Sequence, residues 1–223
     1  MSQSPIRLES ADALPLANPS QLFDCRYKPG KIDGCFEGEP GHANFVVKGS
    51  GPCVRFRGTK YELKKIHIHS KSEHVVEQDD PHDYELHLVH APLGSPVASP
   101  LVVIGILYRT AGKSEKANKT ANVIGELLRS AESRVCVTID PLDLFPRNSK
   151  GKPETTEWFH YEGSLTGYPY SEIVSWIVIK NTAVISESLV DEFKKHAEQH
   201  PRGLQPLDRR LVVRSFQDGK VKD

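Results

Sequence analysis

Lys65-Ile66-His67-Ile68-His69 and Tyr84-Glu85-Leu86-His87-Leu88-Val89-His90 are the two stretches on which the reading of this chain turns. Side chains alternate between the faces of a strand, so His67 and His69 share one face with Lys65, while Ile66 and Ile68 take the other. In the second stretch Glu85, His87 and Val89 share a face. Paired as antiparallel neighbours, the two strands bring His87 to the His67/His69 pair. Three neutral imidazoles with a fourth position open form the ligand set of catalytic rather than structural zinc. Such a set leaves the ion its full charge, enough to bring the pKa of a bound water to about 7, from about 9 on aqueous zinc and about 15.7 in bulk.

Outward from these strands the chain reads as one domain. Its 223 residues are enough to bury roughly 70% of the unfolded surface in a single core. No second-domain signature or internal repeat interrupts them. Lys plus Arg and Asp plus Glu both total 29, which gives no reason to expect nucleic acid or an anionic membrane as a partner. The longest apolar run, Leu101–Tyr108, is far too short to cross a bilayer. The opening Met1-Ser2-Gln3-Ser4-Pro5-Ile6 lacks the basic and apolar regions of a secretory signal, so a cytoplasmic location is expected, with an already trimmed secreted form as the alternative. Cys25, Cys35, Cys53 and Cys136 show no Cys-x-x-Cys pair and no zinc-knuckle spacing. They read as reduced, partly buried thiols, with a Cys25–Cys35 bridge as the alternative.

Residues 7–42 are rich in Pro, Gly and Asp and read as an irregular wrap. Short strands are expected at Asn44–Val47, Val54–Arg57, Lys64–His69 and Tyr84–His90. Leu101–Tyr108 follows, nearly all apolar and so a central strand buried on both faces. Ser114 is expected to cap a helix to about Ala131, with Ala117, Ala121, Ile124 and Leu128 on its apolar face. Val135–Ile139 and Ile173–Ile179 are further strands, separated by a long loop that carries Asp140-Pro141, Phe145-Pro146 and Tyr161–Thr166. Ser188 caps a helix to about His200 with Leu189 and Phe193 inward, and Arg210–Phe216 closes the chain as a strand. Many strands, few helices and no βαβ alternation give a mainly β (α+β) domain with short peripheral helices.

Ile66-His67-Ile68-His69, Ser72-Glu73-His74, Glu85–His90, Gly163-Ser164-Leu165-Thr166 and Gln205-Pro206-Leu207 follow one another in the order of the α-class carbonic anhydrases. The chain resembles that family from Gln3-Ser4-Pro5-Ile6 almost to its carboxyl end. The resemblance implies a single domain over residues 1–223, built on a large, mostly antiparallel twisted sheet with zinc at the base of a conical cleft. It implies reversible hydration of CO₂ to bicarbonate and a proton through a zinc-bound hydroxide, with one Zn²⁺ on His67, His69 and His87. Thr166 is then the residue that accepts the hydroxide proton and donates its own to Glu73. Glu85 becomes the acceptor that fixes the ring of His87, and His74 belongs to the buried hydrogen-bonding cluster behind it.

CO₂ is uncharged and needs an apolar wall, for which Val89, Val103, Leu165, Val174 and Trp176 match the family's. Water removes a proton from an acid of pKa about 7 at only about 10³ s⁻¹, against roughly 10⁶ s⁻¹ for the hydration chemistry. His42, in Pro40-Gly41-His42, matches the family's proton shuttle, and an ordinary imidazole pKa of about 6.5 suits the task. Sulfonamide-type anions are the inhibitors that the resemblance implies.

Several positions depart from the family. The aromatic-rich segment that precedes Gln-Ser-Pro-Ile there has no counterpart in this sequence, and a water-ordering tyrosine goes with it. Lys65 stands where a glutamine accepts the ring N–H of the first ligand, and an ammonium has no lone pair to offer. Gly167 and Tyr168 replace a threonine and a proline at the mouth. His90 faces away from His87, and His82 and His160 are expected at the surface. Two other functions compete. One is a carbonic-anhydrase-related binding protein with weak or no activity. The remoter one is a cupin-type metalloenzyme, in which His67, His69 and Glu73 would all be ligands, commonly to iron or manganese.

Overall fold

The computed structural model describes residues 1–38, 44–78, 80–95, 100–111, 123, 127, 135–197 and 200–217. A 13-stranded sheet dominates it, and its middle is formed by Thr59–Ser70, Tyr84–Pro92, Leu101–Thr110, Val174–Ile179 and Trp158–Gly163, each bonded to the next. Most pairs are antiparallel. Leu101–Thr110 runs parallel to Val174–Ile179 and Ala183–Ile185, and Val213–Arg214 runs parallel to Leu14–Pro15. Arg7–Leu8 and Val75–Val76 form a separate two-stranded sheet.

The central strand is buried from Leu101 to Tyr108, as its apolar run requires. Val102, Ile104, Ile106 and Tyr108 enter one apolar cluster, and Leu101, Val103 and Leu107 enter the other on the opposite face. Gly105 belongs to the second row and lies opposite His87. A Cβ there would stand 2.8 Å from Glu85 Oε1, so this glycine marks a close approach rather than a turn.

The strand Thr59–Ser70 carries a β-bulge. Leu63 pairs with His90, yet Lys65 pairs with Val89, so one extra residue is taken up between them. Because His90 and Val89 point to opposite faces, the bulge turns the odd-numbered positions of the strand over. Leu63 is fully buried in the core cluster together with Ile66 and Ile68, while Lys65, His67 and His69 stand beside Val89, His87 and Glu85. Bulges re-aim side chains next to active sites, and this one aims three in succession.

The expected wrap over residues 7–42 contains a true strand, Ile32–Glu37. Gly34 in its middle reads as a turn signal, but a Cβ there would lie 2.1 Å from the Phe45 ring, so the glycine serves packing. The expected loop between Ile139 and Ile173 likewise holds the strand Trp158–Gly163, whose aromatic side chains fill the core on both faces. Arg210–Phe216 shortens to Val213–Arg214. At the last helix Ser186, not Ser188, is the cap: its hydroxyl accepts from Ser188 N at 3.4 Å. The helix runs as a 3₁₀ turn Glu187–Leu189 and then Val190–His196. The helix expected from Ser114 to Ala131 lies outside the described residues except Val123 and Leu127, which are helical and packed on the core.

The expectation of four reduced thiols is corrected. Cys35 and Cys136 oppose each other on the strands Ile32–Glu37 and Cys136–Ile139 and are joined by a disulfide, whereas Cys25 and Cys53 are free. The pairing was hidden because one of its strands was. A bond across a separation of 101 residues constrains the unfolded chain and stabilises the fold by about 2–4 kcal/mol. His160 is also corrected: it is 5% exposed, with Nδ1–H donating to the Trp176 carbonyl at 2.9 Å. His82 is half-buried, its ring 3.0 Å from the Thr182 hydroxyl.

Candidate metal centre

His67 lies directly opposite His87, and His69 directly opposite Glu85, in the ladder between the strands Thr59–Ser70 and Tyr84–Pro92. Residues directly opposed in a ladder share a face, so the three imidazoles converge. One nitrogen from each of His67, His69 and His87 lies within 4.8 Å of the others. His67 Nε2 and His87 Nδ1 are 3.3 Å apart. Metal–nitrogen bonds of about 2.0–2.1 Å at a tetrahedral ion put two corners about 3.3 Å apart. The side chains therefore fit the ion that their chemistry implies.

Glu85 decides how His87 presents itself. Its Oε1 accepts from His87 Nε2 at 2.9 Å and His74 Nδ1 at 2.7 Å, and its Oε2 accepts from the backbone N–H of Glu73 at 2.9 Å and of His74 at 2.8 Å. A carboxylate only accepts, and its four lone pairs are all used. The His87 proton must then sit on Nε2, which leaves the Nδ1 lone pair facing His67. Burial opposes charge on Glu85, yet His74 and His87 together hold its carboxyl well below the usual carboxylate range. Burial, reinforced by the neighbouring histidines and by Lys65, keeps the His67 pKa well below the ordinary imidazole value, and burial also lowers that of His87. Neutral rings with lone pairs available are what a metal needs.

Behind this layer His74 Nε2 lies 2.7 Å from the Tyr161 hydroxyl, which is 2.9 Å from Ser4 Oγ. The Trp176 ring packs 4.8 Å from that of His87, its indole N–H donating to the Ser164 carbonyl. Glu73 sits at the side of the triad. Its Oε2 is 3.5 Å from His69 Nε2 and 4.0 Å from His87 Nδ1, and its Oε1 accepts from the backbone N–H of Arg202 at 3.1 Å. Thr166 hydrogen-bonds the same carboxylate, whose pKa burial raises while His87 and this hydrogen bond oppose the rise. Arg202 was not seen in the sequence because a backbone donor carries no residue signature.

The imidazoles floor a cleft of about 250 Å³ whose apolar lining includes Val89, Val103, Leu165 and Trp176, with Thr166, Gly167 and Tyr168 on one side and Asn44 and Lys65 on the other. Val174, expected in this wall, is not among the residues that line the cleft; like Val89, Val103 and Trp176 it is buried in the apolar cluster on that face of the sheet. His42 lies outside the described residues. Among the described residues the buried Nδ1 of His67 has no hydrogen-bond partner, which agrees with the replacement of an acceptor by Lys65. His90 turns away, bonded to Tyr27 Oη and to the Val102 carbonyl.

The model of the eukaryotic-type carbonic anhydrase family matches residues 1–216. A carbonic anhydrase of Nostoc sp. is 29% identical over 219 residues, covering 96% of this chain and 76% of its own. Among solved structures, the carbonic anhydrase Cah3 of Chlamydomonas reinhardtii in complex with acetazolamide superimposes with a TM-score of 0.70 at 26% identity, over 96% of this chain and 91% of that one. Dioscorin complexed with ascorbate has a TM-score of 0.78 over 97% of this chain and 87% of its own, and at 24% identity it shows the fold alone.

Proposed function

The chain belongs to the eukaryotic-type carbonic anhydrase family, and from that premise we propose that it hydrates CO₂ reversibly to bicarbonate and a proton, with one zinc ion held by His67, His69 and His87. The observation that carries the reading is the 3.3 Å approach of His67 Nε2 to His87 Nδ1, with Glu85 fixing the tautomer that frees the second nitrogen. When bound, zinc supplies a Lewis acid that brings the pKa of a coordinated water to about 7.

The chain's own residues do the rest. Glu73 accepts the hydroxyl proton of Thr166, so the Thr166 oxygen is left as an acceptor. It favours a group at the metal that carries a proton to donate and disfavours one that does not. The backbone N–H of Arg202 holds Glu73 in place from the other side. Val89, Val103, Leu165 and Trp176 give uncharged CO₂ an apolar surface beside the reacting oxygen and exclude competing water. We assign proton export to His42, on the sequence match alone. The Cah3 complex supports acetazolamide as an inhibitor of this chain.

A second reading has one observation in its favour. That His67 Nδ1 has no hydrogen-bond partner among the described residues suits a related binding protein with weak turnover. The cupin reading falls with the fold and the family. Stopped-flow CO₂ hydration by zinc-loaded protein, with and without acetazolamide, separates the two that stand: inhibitable hydration supports the enzyme, and none above buffer supports the binding protein.

A further inference from the structure

We propose that a second cleft, on the side of the sheet away from the imidazoles, binds a neutral arylamine whose NH₂ group is held between His160 and Glu162. In the strand Trp158–Gly163, the Tyr161 hydroxyl reaches His74 in the cluster behind His87. His160 and Glu162, on either side of Tyr161 in sequence, therefore face the opposite way. There they line a cleft of about 630 Å³ with the apolar side chains of Leu16, Leu22, Leu211 and Val213. This cleft shares no lining residue with the one over the imidazoles.

The polar groups select the occupant. His160 is 5% exposed, and because its Nδ1–H donates to the Trp176 carbonyl, the neutral ring presents a lone pair at Nε2. That nitrogen lies 3.6 Å from Glu162 Oε1, too far for a direct hydrogen bond, and both atoms accept. A group with two N–H donors bridges them, whereas a hydroxyl, with one, serves only one of them. Charge then decides between an amine and an ammonium. Among the described residues that line the cleft, Glu162 is the one carboxylate, and Arg57 already donates to its Oε1 at 2.7 Å. Arg210 adds a second positive charge, its N–H groups committed to the carbonyls of Gln3, Pro206 and Leu207. Two guanidinium groups against one carboxylate disfavour a cation. An aromatic ring that carries NH₂ is neutral, and its body suits the leucine and valine walls.

The test is an NMR titration of 4-propylaniline, neutral at pH 8, into the isotope-labelled protein. Saturable shifts are expected at the amides of Ala17, Gln21, Leu22 and Leu211, and not at those of His67 and His69. Glu162→Ala, at a half-exposed position, removes one acceptor and is expected to raise the dissociation constant about 3- to 10-fold. Leu211→Trp, at a position 62% exposed, fills the mouth of the cleft and should abolish the shifts. N,N-dimethyl-4-propylaniline, which has the same body and no N–H, is expected to bind at least about 3-fold more weakly. Absence of saturable shifts in wild type, affinity unchanged by Glu162→Ala or by dimethylation, binding that survives Leu211→Trp, or tighter binding of the cation 4-propylbenzylamine would each overturn the proposal.

Discussion

His67 and His87 face each other across an antiparallel ladder with their ring nitrogens 3.3 Å apart, and the pair is in register only because a bulge intervenes between Leu63 and Lys65. Without the extra residue, His67 and His69 would share Leu63's face and lie in the core. Metal affinity in this chain is therefore tied to strand register and to Glu85, which fixes the His87 ring from behind.

Glu85→Gln tests that support. An amide must turn its NH₂ group either toward the donors His74 Nδ1 and His87 Nε2 or toward two backbone N–H groups, so one pair is repelled. Zinc affinity is expected to fall by about 10- to 100-fold, measured by competition with a chelator. Unchanged affinity would show that the carboxylate does not control the ligand.

Thr166→Ala removes the hydroxyl that Glu73 anchors and touches none of the three imidazoles. Hydration kcat/KM is expected to drop roughly 100-fold, about 2.7 kcal/mol of transition-state stabilisation, with zinc content retained. Loss of zinc in this variant would instead assign Thr166 a structural role.

For His42 the prediction is kinetic. His42→Ala should lower kcat in dilute buffer, leave kcat/KM for CO₂ nearly unchanged and recover with added imidazole, which replaces the same proton acceptor from solution. An unaltered kcat at low buffer would remove His42 from the reaction.

The buried His90 predicts a pH dependence of stability. Burial, against hydrogen bonds to Val102 and Leu88, lowers its pKa to about 4, whereas the unfolded chain titrates near 6.5. Between those values the unfolded state binds the extra proton, so stability falls as pH drops from about 6.5 to about 4 and this contribution then levels off. At about 1.4 kcal/mol per pH unit the loss from this group is about 3 kcal/mol. Urea unfolding of wild type and His90→Gln should show a shallower decline in the variant; parallel curves would contradict the assignment.

The imidazoles, Glu85 and the central strand were legible because each depends on alternation within a few residues of one strand. Features set by pairing between distant strands were not. The bulge beside Lys64, the Cys35–Cys136 bond and the burial of His160 all follow from which strand lies beside which, and no local period records that. Gly34 misdirects in the same way. It suggests a break in the chain, while the neighbouring Phe45 ring shows that the missing side chain makes room. Arg202 contributes only a backbone N–H to Glu73, so its position was set by the fold and not by its identity.

The central claim is tested most directly by measuring zinc content and CO₂ hydration on one preparation purified without chelator, at pH 8. The account predicts near-equimolar zinc and hydration well above buffer, with both lost in His87→Ala. Fully zinc-loaded protein with no hydration above buffer would contradict it.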